Sequence, residues 1–125
     1  MTQLYHVEDD DLKARTVARI VSLARPDFEI VRLHSFVEFC DRVCDDVNAP
    51  DSRKLCCITD WQFPRQRGGA VQVLGPRVLD IFGDVIPTIV ISGADKPADF
   101  DRHYPGTPWL NLGQVLELQA WLVKL

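Results

Sequence analysis

The residues best placed to do chemistry are a run of four acids, Glu8-Asp9-Asp10-Asp11, a lone carboxylate, Asp60, and a hydroxyl, Ser92. Each follows directly on a short apolar run. Leu4-Tyr5-His6-Val7 leads into the acids, Leu55-Cys56-Cys57-Ile58-Thr59 into Asp60, and Thr88-Ile89-Val90-Ile91 into Ser92-Gly93. Runs of this length rich in β-formers read as buried strands. In an open parallel sheet, sites form at the carboxyl ends of the strands. Three strand ends would therefore bring two acids, one acid and one hydroxyl to a single edge. Carboxylates gathered in that way repel one another and hold their protons more tightly. A hard divalent cation relieves the repulsion, and Mg2+ accepts a few carboxylate oxygens while keeping several waters. A magnesium-bound carboxylate beside a hydroxyl donor suits phosphoryl transfer, where most of the work is positioning and charge neutralisation. Asp60, alone at the middle strand, is the natural acceptor, because a carboxylate can form an aspartyl phosphate.

Singly, these signals have plain structural explanations. Acids favour helix N-termini, Asp caps turns, and Ser-Gly is an ordinary exit from a strand. The joint placement carries the reading.

The elements that must position them follow from periodicity. The first strand covers about residues 3 to 7, and Asp11 can cap a helix with Leu12, Val17, Ile20, Val21 and Ala24 on its apolar face, stopped by Pro26. Phe28 to Leu33 reads as a second strand. Ser35 with Glu38 is a capping-box pattern, and Phe36, Phe39, Cys40, Val43, Cys44 and Val47 trace a second helical face. A polar turn over 48–53 precedes the central strand. Residues 61–67 read as a loop. Val71, Leu74, Val78, Leu79 and Phe82 have helical spacing interrupted by Gly75-Pro76, which predicts a kink or a fresh helix start. Proline and glycine crowd 93–108, leaving room for a short fourth helix near 98–103. Trp109, Leu110 and Leu112 suggest a last strand, and 114–125 a last helix turned inward through Val115, Leu118 and Leu122. Five alternations of strand and helix imply one α/β domain over 1–125, with a parallel sheet covered by helices on both faces.

Composition sets the limits. With 46% hydrophobic and 26% charged residues, the chain has the make-up of a folded globular domain. A net charge of −4, from 14 basic and 18 acidic residues, supplies no basic stripe for direct nucleic-acid binding. No apolar run is long enough to span a bilayer and no signal-peptide layout opens the chain, so the expected location is cytoplasmic, without a membrane partner. Of the four cysteines, Cys56 and Cys57 are strand neighbours that must point to opposite faces, so a shared tetrahedral metal site with Cys40 and Cys44 does not fit. Small buried side chains are the simpler account.

Over nearly its whole length the chain resembles the receiver domain of two-component response regulators. The likeness rests on Val7-Glu8-Asp9-Asp10, on Ile58-Thr59-Asp60-Trp61-Gln62-Phe63-Pro64 with Gly68, and on Thr88-Ile89-Val90-Ile91-Ser92-Gly93. It implies a flavodoxin-like (βα)5 doubly wound fold with five parallel strands in the order 2-1-3-4-5. It further implies Asp60 as the phosphoacceptor, and Glu8, Asp9, Asp60 and the backbone carbonyl of Gln62 as ligands to Mg2+. Ser92 would be the switch hydroxyl and Trp109 the aromatic switch partner. The implied partners are a histidine kinase or phosphotransfer protein as donor and a downstream protein target; relatives often dimerise through the fourth and fifth elements. The chain ends at the domain's last helix, so no output segment is expected.

One departure stands out. Receivers carry a lysine after the last strand; here Leu112, or Asn111 if the register slips, stands there and Gly113 follows. The acid cluster is therefore expected to lack a fixed counter-charge, with Lys96 or Arg65 able to swing in and otherwise solvated. Trp61 is expected either to cover the pocket, to serve a partner surface, or to pack on its own scaffold, and His6 to be a strand histidine. Two other functions compete: a pseudo-receiver that binds partners without phosphorylation, and a Mg-dependent phosphatase or phosphotransferase working through an aspartyl phosphate.

Overall fold

In a computed structural model, residues 2–49, 53–83 and 85–125 are described. The elements in chain order are β1 (Thr2–Val7), α1 (Asp11–Ala24), β2 (Phe28–Leu33), α2 (Phe36–Val47), β3 (Lys54–Thr59), β4 (Gln62–Pro64), β5 (Val71–Val73), α3 (Gly75–Phe82), β6 (Thr88–Ile91), α4 (Phe100–His103), β7 (Trp109–Leu110) and α5 (Val115–Val123). Five strands form one parallel sheet in the order β2-β1-β3-β6-β7. That is the flavodoxin-like order 2-1-3-4-5 that the resemblance implies, and the fourth helix is reduced to four residues.

Strand alternation divides the core between the two faces. Leu4, Cys56 and Ile58 pack with Val17, Ile20 and Val21 of α1 and Leu118 and Leu122 of α5. Tyr5, Val7 and Cys57 pack with Phe39 and Val43 of α2 and Val78 and Phe82 of α3. Cys56 and Cys57 thus serve opposite layers, and all four cysteines are free thiols. Among the described residues no helix is long and apolar enough to cross a membrane.

Three local expectations are corrected. The cap of α1 is Asp10, one residue earlier than Asp11, and its carboxylate accepts the Lys13 amide proton at 3.0 Å. The stretch read as a loop after Asp60 is a hairpin: β4 pairs antiparallel with β5, so Val71 belongs to a strand. Pro64 is tolerated because it closes a three-residue strand outside the main sheet, where little ladder depends on its missing N–H. The helix then starts afresh at Gly75, with Pro76 in its first turn. The last strand stops at Leu110, and Leu112 turns, partly buried, against the α1–α5 core layer. Of the capping box expected at α2, the serine half forms: Ser35 Oγ accepts the Glu38 N–H at 3.2 Å, while the Glu38 carboxylate accepts the Ser35 hydroxyl at 2.9 Å. The middle of the polar turn read over 48–53 lies outside the described residues.

Candidate functional site

Backbone hydrogen bonds carry the strands just past their formal ends. The Glu8 N–H donates to the Leu33 carbonyl and the Asp60 N–H to the Val7 carbonyl, each at 2.9 Å, so the first two acids of interest are fixed on the sheet edge by the ladder itself. One oxygen from each of Glu8, Asp9 and Asp60 lies within 4.8 Å of the others. Glu8 and Asp60 are only 2% and 4% exposed, which is an expensive place for two carboxylates unless something balances them.

The balance comes from α1. Lys13 Nζ stands 3.3 Å from Glu8 Oε1 and 3.2 Å from Asp60 Oδ2. A helical side chain leans toward the helix N-terminus, so a lysine in the first turn of a helix that starts at the sheet edge overhangs that edge. The expectation of a cluster without a counter-charge is therefore corrected, and neither substitute considered supplies it. Lys96 pairs instead with Asp101 at 2.7 Å, and Arg65 is exposed in the hairpin connection.

The other carboxylate oxygens also have assigned partners. Glu8 Oε2 accepts the Asp10 N–H at 3.2 Å, and Asp60 Oδ1 accepts the Trp61 N–H at 2.7 Å. Burial pushes Glu8 up to about 8, and the nearby Asp60 charge adds to the effect, more than Lys13 and the Asp10 amide offset. Burial alone would lower Lys13, yet Asp60 and Glu8 together hold it above the ordinary lysine value. A protonated or cation-compensated Glu8 is what a site short of positive charge looks like.

Asp9, Lys13, Asp60, Gln62, Val71 and Ser92 line one open cleft. Ser92 is buried at its rim, with Oγ accepting the Ala94 N–H at 3.1 Å, which leaves its own proton free to be donated. Trp109 does not line this cleft. It lies behind it in an aromatic group, edge-on to Trp61 and Phe100 with ring centroids 5.1 Å away in each case. Trp61 is 8% exposed and packs with Leu79, Val90 and Phe100, so of the roles weighed for it, packing on the scaffold holds. His6 is a buried strand residue facing Ala14, Ala18 and Arg32.

The donor set fits a hard divalent cation: three carboxylates, two of them buried and already short of positive charge, in a cleft open to solvent. Glu8, Asp9 and Asp60 would hold the ion.

The functional residue missed in the sequence is Lys13. Its signal was present: a cation in the first turn of a helix is misplaced against the macrodipole unless an anion holds it there.

No family model matches the chain, and no curated protein does. Solved structures do. The response regulatory domain of mrkE from Klebsiella pneumoniae superposes with a TM-score of 0.72 at 15% identity, covering 98% of this chain and 93% of that one. The Mn2+-bound form of response regulator Rcp1 gives 0.67 at 16% identity, covering 98% and 89%. A response regulator receiver domain protein from Clostridium thermocellum gives 0.66 at 15% identity, covering 99% and 93%. The fold of this chain is the receiver-domain fold of response regulators.

Proposed function

We propose that the chain is a signalling receiver domain that accepts a phosphoryl group on Asp60 in a Mg2+-dependent reaction, and acts through protein contacts rather than as a turnover enzyme. The observation that carries this is the convergence of Glu8, Asp9 and Asp60 on one sheet edge, within 4.8 Å, at the mouth of a cleft rimmed by Ser92. The Mn2+ in the Rcp1 structure, on the same fold, supports a divalent ion among these acids.

In this reading Glu8, Asp9 and Asp60, with the Gln62 carbonyl that the resemblance adds, would hold the ion. When bound, it neutralises charge on the transferring group. Asp60 Oδ1 is held by the Trp61 amide, so Oδ2, whose contact is the partly exposed Lys13 ammonium at 3.2 Å, is the oxygen that attacks. The P–N bond of a phosphohistidine breaks as the P–Oδ2 bond forms; the electron pair leaves on the imidazole nitrogen, which then takes a proton from water. Ser92 donates a hydrogen bond from its hydroxyl to a phosphoryl oxygen and keeps its proton. A histidine kinase or phosphotransfer protein is the donor, and a downstream protein reads the result.

The test is intact-mass spectrometry of the protein incubated with acetyl phosphate, with and without Mg2+. One added phosphoryl group, dependent on Mg2+ and lost in Asp60→Asn, is expected. A folded protein of unchanged mass would favour the pseudo-receiver, and donor turnover far above spontaneous hydrolysis would favour the phosphatase.

A further inference from the structure

A phosphoryl group on Asp60 would bring close to two negative charges into a cleft already lined by acids. Among the described residues lining that cleft, Lys13 is the only cation. Its ammonium lies 3.2 Å from Asp60 Oδ2, the oxygen that the backbone leaves unbound, and its side chain is 30% exposed, so it can follow a group growing from that oxygen. The backbone behind it is fixed, because the Asp10 carboxylate holds the Lys13 amide at 3.0 Å and Arg32 ties the Glu8 carbonyl at 2.7 Å.

The position after β7 offers no rival. Leu112 is packed against the α1–α5 core layer, and Asn111 is committed to the turn, with Oδ1 accepting the Gly113 N–H at 2.9 Å.

We infer that Lys13 of α1 is the phosphoryl-binding cation of this chain: it neutralises Glu8 and Asp60 in the resting state and moves onto the phosphoryl oxygens after transfer. The inference rests on Asp60 being the acceptor. With acetyl phosphate as donor, the P–O bond to acetate breaks with its electron pair leaving on acetate, and the P–Oδ2 bond forms. No proton is transferred, and Lys13 remains an ammonium throughout.

Two consequences separate this role from a structural one. In the resting state the ammonium competes with a divalent ion for the same oxygens, so Lys13→Met should bind Mg2+ alone more tightly in calorimetry, by about tenfold. At saturating Mg2+, Lys13→Met should nevertheless take up phosphoryl from acetyl phosphate more slowly, by roughly a hundredfold. Lys13→Arg should reverse most of both changes. A folded Lys13→Met with wild-type Mg2+ affinity and wild-type uptake would overturn the inference while leaving Asp60 as acceptor. A wild-type protein that never gains a phosphoryl group would remove the functional reading and the inference with it. Should Lys13→Met not fold, the Lys13 ammonium signal in nitrogen-labelled wild-type protein decides: it should shift when Asp60 is phosphorylated, and an unmoved signal would contradict the assignment.

Discussion

The indole of Trp61 sits edge-on to that of Trp109, ring centroids 5.1 Å apart, while the Trp61 amide holds Asp60 Oδ1 at 2.7 Å. A single residue therefore links the candidate acceptor to the aromatic group that anchors α4 and β7. Phe100, 1% exposed, completes the group from the short α4. Phe100→Ala should destabilise the fold by about 3 kcal/mol in urea titrations, since a buried ring is removed and a helix of four residues cannot hold itself. Loading Asp60 should also change tryptophan emission in the wild type and much less in Trp109→Leu. Equal emission changes in the two proteins would show that the contact relays nothing.

Gly75 is where the site presses hardest on its own support. A Cβ there would meet Trp61 Cε3 at 2.6 Å and the Trp61 Cα at 2.9 Å. The Gly75 N–H also donates to the Trp61 carbonyl at 2.9 Å, so the first turn of α3 lies directly on the backbone beside Asp60. Gly75→Ala should cost about 1–3 kcal/mol and weaken Mg2+ binding together with stability. An alanine variant as stable as the wild type would contradict this packing.

Glu8 makes metal-free stability depend on pH in an unusual direction. Its folded value near 8 lies above the ordinary 4.5, so between these values the folded protein holds more protons than the unfolded chain. Stability from this group is full below about 4.5 and is lost as pH rises through about 8, by up to a few kcal/mol. Mg2+ or Glu8→Gln should flatten the difference, read as urea midpoints at pH 5.5 and 8.5 with a chelator or with added Mg2+. A metal-free protein equally stable at both would sink the claim.

His6 acts in the opposite sense. Burial, reinforced by the charges of Arg32 and Lys13, pushes it down to about 3 from 6.5. Over that range the unfolded chain binds the extra proton, so its contribution is full above about 6.5 and falls as pH drops. Because Glu8 opposes it over part of the window, the comparison is between the wild type and His6→Gln at pH 7 and pH 4.5. The variant should lose less stability on acidification. Parallel losses would mean that His6 takes up its proton without unfolding.

Much of this molecule is legible in the order of its residues. The apolar runs ending at Glu8, Asp60 and Ser92 give the strands and the edge they share, because a buried parallel strand needs an unbroken apolar run. The hairpin of β4 and β5 is not legible: Gln62-Phe63-Pro64 and Val71-Gln72-Val73 are too short for alternation to show, and the second is exposed throughout. Its place is set by tertiary ties, with Phe63 fully buried in the α2–α3 layer and the Arg65 carbonyl accepting the Val37 N–H at 2.9 Å. Lys13 is legible only in part. A cation in the first turn of α1 calls for an anion nearby, but which acids it meets depends on how the side chain leans from a helix capped at Asp10, and spacing does not give that.

The most direct measurement locates the acyl phosphate. Protein treated with acetyl phosphate and Mg2+ is reduced with borohydride, which converts an aspartyl phosphate to homoserine, and is then mapped by tandem mass spectrometry. Homoserine at position 60, absent when Mg2+ is chelated, is the result expected. Phosphate found on a histidine, serine or cysteine instead, with Asp60 intact, would contradict the account.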